Sequence, residues 1–543
     1  MKQIFFLLVI LFLQISYSAI VIEGKVYSAS DEIPDLAHAH IAQFGESYYS
    51  PLQTVQVDKK GYFNFEIEED AFYSLYVTAA DHEGYYIPLI TDSKKIKLNI
   101  RLKANEFKPV FDSAKIIGNW NGFRVRNAED MEKQADGTFI YKLKSDSAII
   151  SYQLVDITEN GHTVNGTLHD ELEYDGGGDY ISHIKNPGGE VYIIFDPKKL
   201  SRNSEQFDPL KIYGDPTLLE ITKINNKIND FETGYEKLRD AYIQQNKSEA
   251  GFKYDFDEIS AYLMQRLQSK DELIKRFAAI KFVATMEKGN NVDAIKITEI
   301  LPLSDPLWVS DGFMVTEVFE KAYGDKKAEE IINTQFETIK SQSVRAKILL
   351  SFGLEAKQNG DLKKVTELHK NLSDNYTALN SQRWFQWYLS QINPDKAIFK
   401  GKQVPDFEIK NLHSDQTISN KSLLGTYYMI DFWAVWCGPC RTEMPNLHEV
   451  FNEFKDSKFT ILSLSFDPKI EDVDKYRREE WEMPWLHAFV ENGFNNDLSK
   501  RFEVTGIPKP ILVDLNGKII ATDIELRGEN LKKTLQKFIN SNF

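Results

Sequence analysis

The two cysteines of this chain, Cys437 and Cys440, stand three apart in Trp436-Cys437-Gly438-Pro439-Cys440. A strand-like apolar run, Tyr428-Met429-Ile430-Asp431-Phe432-Trp433, leads into them, and a helical pattern starting Arg441-Thr442-Glu443-Met444-Pro445 leads out. That order constrains the fold more than any other feature, because it places paired thiols at a strand-to-helix junction. The first N–H groups of a helix have no partner within it and carry the positive end of its dipole. A thiolate held there is stabilised, so Cys437 is expected to ionise below the free-thiol value of about 8.5. Gly438 and Pro439 shape the turn, and Pro439 suits a helix start because its missing N–H is not needed there. Such a pair supports disulfide exchange: Cys437 attacks a substrate disulfide and Cys440 resolves the mixed disulfide, with no cofactor beyond the redox-active Cys437–Cys440 disulfide itself.

Composition narrows the remaining possibilities. A length of 543 residues exceeds what one core serves and implies several domains. A formal charge of −16 argues against a nucleic-acid partner, which requires clustered Lys and Arg. Two cysteines make one bridge at most, which excludes a disulfide-stapled scaffold. At the N-terminus, Lys2, the apolar run from Ile4 to Leu13 and Ser16-Tyr17-Ser18 ahead of Ala19 match a secretory signal over residues 1–18. The run is shorter than the roughly 20 apolar residues of a membrane span, and the alternative reading is an uncleaved anchor. The expected protein is therefore exported to the periplasm or cell envelope, without a transmembrane span once the signal is cleaved.

The pattern along the chain predicts a multidomain protein. It comprises two N-terminal all-β sandwiches, a central all-α helical-hairpin region and a C-terminal α/β domain. Residues 19–105 read as strands: Val21 to Tyr27 alternates, Asp58-Lys59-Lys60-Gly61 turns, and Phe63, Phe65 and Ile67 share one face before Tyr73 to Thr78 and Ile96 to Leu102. This segment resembles carboxypeptidase regulatory-like domains, which are mostly non-catalytic. Residues 106–200 resemble, around Ile116 to Phe123 and Asp136 to Phe139, the glycogen-binding modules related to the AMP-activated kinase β-subunit. Those modules stack sugars on two tryptophans. Here Phe123 takes the first position, Trp120 is displaced, and the loop at Gly161-His162-Thr163 has no tryptophan, so a structural Ig-like sandwich is expected instead. Asp175 to Asp179 lacks the spaced oxygen ligands of a calcium loop and reads as a turn. Over 214–396 the period lengthens to 3.6: Val344, Ile348, Leu349 and Phe352 form one helix, Asn359-Gly360-Asp361 breaks it, and Leu362, Val365, Leu368 and Leu372 form another.

Residues 400–543 alternate strand-like and helix-like stretches, and around the cysteines they resemble thioredoxin and, more widely, the TlpA/ResA-type exported thioredoxin-like reductases. Val404-Pro405-Asp406-Phe407 matches that group's opening strand, and Glu443 its acid three residues after the second cysteine. Val504-Thr505-Gly506-Ile507-Pro508 matches the late strand, with Pro508 at the cis-proline position, and Leu526-Arg527-Gly528 a common ending. The long interval from Cys440 to Pro508 is expected to hold an inserted strand–helix unit. Asp431, buried on its strand, is expected to have a raised pKa suited to exchanging a proton with Cys440, or else to accept backbone bonds. Glu443 either shares that role or complements the dipole. Trp436 is expected beside Cys437, on the docking surface or filling the core. Ile507 would offer its backbone to a substrate chain. Lys509 stands where the group usually has a small polar residue, and Pro510, unable to donate to a ladder, implies an edge or irregularity. The resemblance implies a reductase of protein disulfides supplied with electrons by a membrane thiol carrier.

Other chemistries fit less well. Zinc needs about four ligands, and two cysteines without suitably spaced histidines do not supply them, so no metal site is expected. A peroxiredoxin would carry Thr or Ser where Ala434 stands and Pro where Ile430 stands. The alternative of another class is an envelope binding or scaffold protein whose sandwiches and helices recognise a protein or glycan.

Overall fold

A computed structural model describes residues 19–46, 51–68, 71–158, 164–165, 171–176, 179–200, 209–246 and 251–539. The signal expected over 1–18, the loop at 161–163 and the glycines 177 and 178 lie outside the described residues. By internal contacts the chain divides into two units, one of residues 1–233, 255–314 and 318–340, the other of 234–254, 315–317 and 341–543.

The first unit opens with a sandwich of two four-stranded sheets. Strand Ala19–Ser28 runs antiparallel to Tyr62–Glu68 and parallel to Lys95–Leu102. Alternation decides which side chains face inward: Phe63, Phe65 and Ile67 are buried among Ile22, Leu75, Val77 and Leu98 while their neighbours face water. The Asp58 carboxylate accepts from the N–H groups of Lys60 and Tyr62 and fixes the turn between strands. Gly61 in that turn has φ +86°, and a Cβ there would lie 2.8 Å from the Val26 carbonyl, so no other residue fits well. The outer strand of this sheet, Leu210–Tyr213, arrives from beyond the second sandwich and pairs with Tyr213 opposite Lys97. No local sequence pattern signals that long-range pairing.

The second sandwich packs Phe139, Tyr152, Ile193 and Phe195 between its sheets. Trp120 stacks on Tyr141 with ring centroids 5.4 Å apart, and its indole N–H donates to Glu129 at 2.8 Å. The ring is thus engaged within the domain, as a structural sandwich requires. Asp175 and Asp179 close a turn through paired hydrogen bonds. Asp215 then caps the 31-residue helix Pro216–Asn246, accepting from the Leu218 N–H.

In the second unit, helix Gln342–Asn359 ends at Gly360, which is left-handed at φ +75°, and Asp361 caps helix Leu362–Asn375 by accepting from the Lys364 N–H. The break falls where Asn359-Gly360-Asp361 predicts it. Leu362, read as part of the apolar face, is exposed because it is the first helical residue. Helix Arg383–Gln391 completes this helical segment. Lys400 ties it to the α/β domain by donating to the Gln358 carbonyl at 2.7 Å and to Glu525 at 3.0 Å.

The α/β domain is a five-stranded sheet in the order Leu486–Phe489, Phe459–Ser465, Tyr427–Trp433, Lys509–Val513, Ile519–Thr522. The first three strands are parallel, and the last two run antiparallel to their neighbours. Every residue of the central strand Tyr427–Trp433 is buried, as a predominantly apolar strand with a neighbour on each side requires, and Asp431 is its one carboxylate. Between Cys440 and Pro508 lie helix Met444–Phe454, strand Phe459–Ser465, helix Ile470–Glu479, strand Leu486–Phe489 and helix Asp497–Arg501. One expectation fails: residues 404–407 form no strand. Pro405 has no N–H to give a ladder, and the strand begins instead at Glu408, in a hairpin with Thr417–Ser419.

Candidate active site

The central strand delivers Cys437 to the start of helix Gly438–Thr442, where it is the capping residue. Its sulfur accepts the Cys440 backbone N–H at 3.2 Å, and the two cysteines are joined as a disulfide with Cα atoms 5.3 Å apart. The helix predicted from Arg441 onward is broken at Glu443 and resumes as Met444–Phe454. Pro445 accounts for the break, since it lacks an N–H and its ring opposes the carbonyl four residues earlier.

Exposure around the pair is uneven. Cys437 is 4% and Cys440 2% exposed, whereas Trp436 is 57% exposed. Trp436 therefore belongs to the surface rather than the core. Gly438 and Pro439 are exposed beside it. Asp467, which sequence reasoning missed, holds the approach to the motif in place. Both its carboxylate oxygens accept the Val435 N–H at 3.0 Å, and Ser465 donates to one of them at 2.9 Å. A lone Asp after the strand Phe459–Ser465 carries no sequence signal for that contact.

Asp431 is buried on the central strand, opposite Pro510. Loss of hydration first, then the nearby Glu443 charge, push its pKa up to about 7, while Arg527 and a Ser463 hydrogen bond pull the other way. One of its carboxylate oxygens has no hydrogen-bond partner. Glu443 does not lie along an exposed helix turn. Its carboxylate accepts from the Gly528 N–H and from the Asn446 amide, each at 2.9 Å, so it ties the cysteine helix to the start of helix Gly528–Ile539.

The Ile507–Pro508 bond is cis. Strand Lys509–Val513 follows it, with Lys509 opposite Phe432, so the Ile507–Pro508 turn meets the end of the central strand from which the cysteine motif departs. Ile507 is half-buried and packs against the domain core, Pro508 is buried, and Thr505 and Gly506 are exposed. Pairing with the outer strand begins only at Ile511, which leaves Pro510 one strand neighbour, and the register shifts at Leu512 and Val513. The edge implied by Pro510 is present. Arg527 donates to the Pro508 carbonyl and so links this turn to the Asp431–Glu443 pair. The sequence shows Arg527 only as part of a familiar ending.

Residues 425–519 match a family model described as thioredoxin-like. The chain is 26% identical over 155 residues to the thiol-disulfide oxidoreductase ResA of Bacillus cereus, covering 28% of this chain and 85% of that protein. It is 28% identical over 155 residues to the thioredoxin-like protein YneN of Bacillus subtilis, with 28% and 86% covered. It is also similar to the crystal structure of the thioredoxin domain of a thiol-disulfide oxidoreductase from Bacteroides vulgatus, at 35% identity, 26% of this chain, 99% of that chain and a TM-score of 0.25. Residues 425–519 thus form a thioredoxin-like domain, and over this C-terminal region the chain has thiol-disulfide oxidoreductases of the ResA type as its relatives.

Proposed function

We propose that the protein is exported and reduces disulfides in protein substrates through Cys437 and Cys440. The observation that carries this reading is the Cys437 sulfur at a helix start, accepting the Cys440 N–H. That placement favours the thiolate over the thiol. In the reduced enzyme the Cys437 thiolate attacks one substrate sulfur, breaking the substrate S–S bond and forming a mixed disulfide. The departing substrate sulfur leaves with the electron pair and takes a proton. Asp431, titrating at about 7, accepts the Cys440 proton, and the Cys440 thiolate attacks Cys437. The second substrate thiol leaves, and the enzyme holds the Cys437–Cys440 disulfide. Two electrons have passed to the substrate; the first departing sulfur draws its proton from solvent, and the second takes the Cys440 proton back from Asp431. Trp436, Ile507 and Pro508 form the surface on which the substrate chain rests.

Gly438-Pro439 between the cysteines favours a reductant near the thioredoxin potential of about −270 mV over a strong oxidant near −120 mV. Turnover in an oxidising compartment then requires re-reduction by an external thiol donor, which we assign to a membrane carrier. Export rests on the pattern of residues 1–18, and among the described residues no helix is long and apolar enough to cross a membrane. Insulin reduction tests the assignment. Cys437→Ser is expected to abolish it, and Cys440→Ser to accumulate a mixed disulfide on Cys437. Full turnover by either variant contradicts these roles.

A further inference from the structure

A cavity of about 540 Å³ lies between the helical segment of the second unit and the Ile507–Pro508 turn. Lys357 and Lys396 line it from one side, Lys509, Pro508 and Arg527 from the other, with Glu503 and Asp523 at its margin. Among the described residues, none of the ammonium groups of Lys357, Lys396 and Lys509 makes a hydrogen bond or an ion pair. Their neighbours differ. Lys400 pairs with Glu525, and Lys402 donates to the carbonyls of Pro394 and Lys396. Glu503 is partly occupied, one oxygen accepting the Ala397 N–H at 3.1 Å. The wall therefore carries four cations against two carboxylates, and the three lysines repel one another.

Burial lowers the pKa of Lys357 and of Lys396; neighbouring lysines lower both further, while the Glu503 and Asp523 carboxylates pull the other way. A half-buried cluster in which cations outnumber carboxylates is costly unless something neutralises the excess. The cavity also shares Ile507 and Pro508 with the surface assigned to the substrate, so whatever fills it lies beside the chain undergoing exchange.

We propose that this cavity is a specificity subsite for a carboxylate carried by the substrate disulfide, and that Lys357, Lys396 and Lys509 recognise it. The inference rests on the reductase reading and names its substrate class. It gives the unusual Lys509 a task, and it explains why helices precede the catalytic domain within one unit. The carboxylate has two possible sources, an acidic side chain near the cystine of a polypeptide, or the free carboxylates of a small disulfide such as glutathione disulfide.

The test uses the full chain and synthetic peptides with one internal disulfide flanked by Glu or, in a matched peptide, by Gln. The expected result is kcat/KM about tenfold higher for the Glu peptide at low salt, a preference that shrinks as ionic strength screens the charges. The Lys357→Gln, Lys396→Gln, Lys509→Gln triple variant should lose the preference while keeping its rate on the Gln peptide. Lys357→Glu with Lys396→Glu should favour a Lys-flanked peptide. Glutathione disulfide reduced faster than its dimethyl ester, with no Glu-peptide preference, would assign the small-molecule source. Equal wild-type rates on both peptides and on both glutathione forms overturn the subsite while leaving the reductase reading intact. No reduction of any of these compounds overturns the reductase reading itself.

Discussion

Arg527 donates a hydrogen bond to the carbonyl of Pro508. Its positive charge also opposes the upward shift of Asp431, so one guanidinium acts on both the Ile507–Pro508 turn and the buried acid of the central strand. Neither group is near Arg527 in sequence, and the connection exists only once the sheet has formed.

Arg527→Met is expected to raise the pKa of Asp431 above its value of about 7, because a stabilising cation is lost. A rise of one unit cuts the ionised fraction at pH 7 about five-fold, and the resolution step should slow in proportion. Carbon-detected NMR titration of Asp431, together with single-turnover kinetics, reads both effects. An unchanged pKa with an unchanged rate would contradict the linkage.

Asp431→Asn should stabilise the oxidised protein at neutral and alkaline pH. The folded carboxyl keeps its proton to about pH 7, whereas an unfolded aspartate releases it near 4. Stability therefore falls as pH rises through that window, by an amount on the order of 4 kcal/mol when the whole shift is expressed. Asparagine, which cannot ionise, removes that loss. The variant's advantage in melting temperature should be clear at pH 8 and vanish toward pH 4. The same variant should lose about a hundredfold in kcat at neutral pH if Asp431 takes the Cys440 proton.

Trp436→Ala should leave stability nearly unchanged, within about 0.5 kcal/mol, since more than half of the side chain already faces solvent. KM for a protein disulfide should rise several-fold while the rate on a small disulfide reagent stays the same. A large fall in melting temperature would instead place the ring in the core.

Much of this architecture is readable in the chain because the signals are local. The alternation Phe63-Asn64-Phe65-Glu66-Ile67 gives a half-buried strand, and Gly360-Asp361 supplies a helix stop followed by a helix start. The strand-to-helix setting of Cys437 likewise follows from neighbouring residues. What escapes is long-range. Leu210–Tyr213 joins a sheet whose other strands precede it by a whole sandwich. Asp467 reaches the Val435 N–H from just past the next strand, and Arg527 reaches Pro508 from beyond the last one. The opening strand at Val404 fails for a local reason, because Pro405 outweighs the apolar pattern around it.

The central claim, that the Cys437 sulfur is ionised near neutrality and accessible in the folded protein, is tested by alkylation of the reduced full-length chain with iodoacetamide across pH, read by mass spectrometry of each cysteine. The account predicts fast labelling of Cys437, half-maximal near pH 7, and slow labelling of Cys440. Cys437 labelled only above about pH 8.5, or only after unfolding, would contradict it.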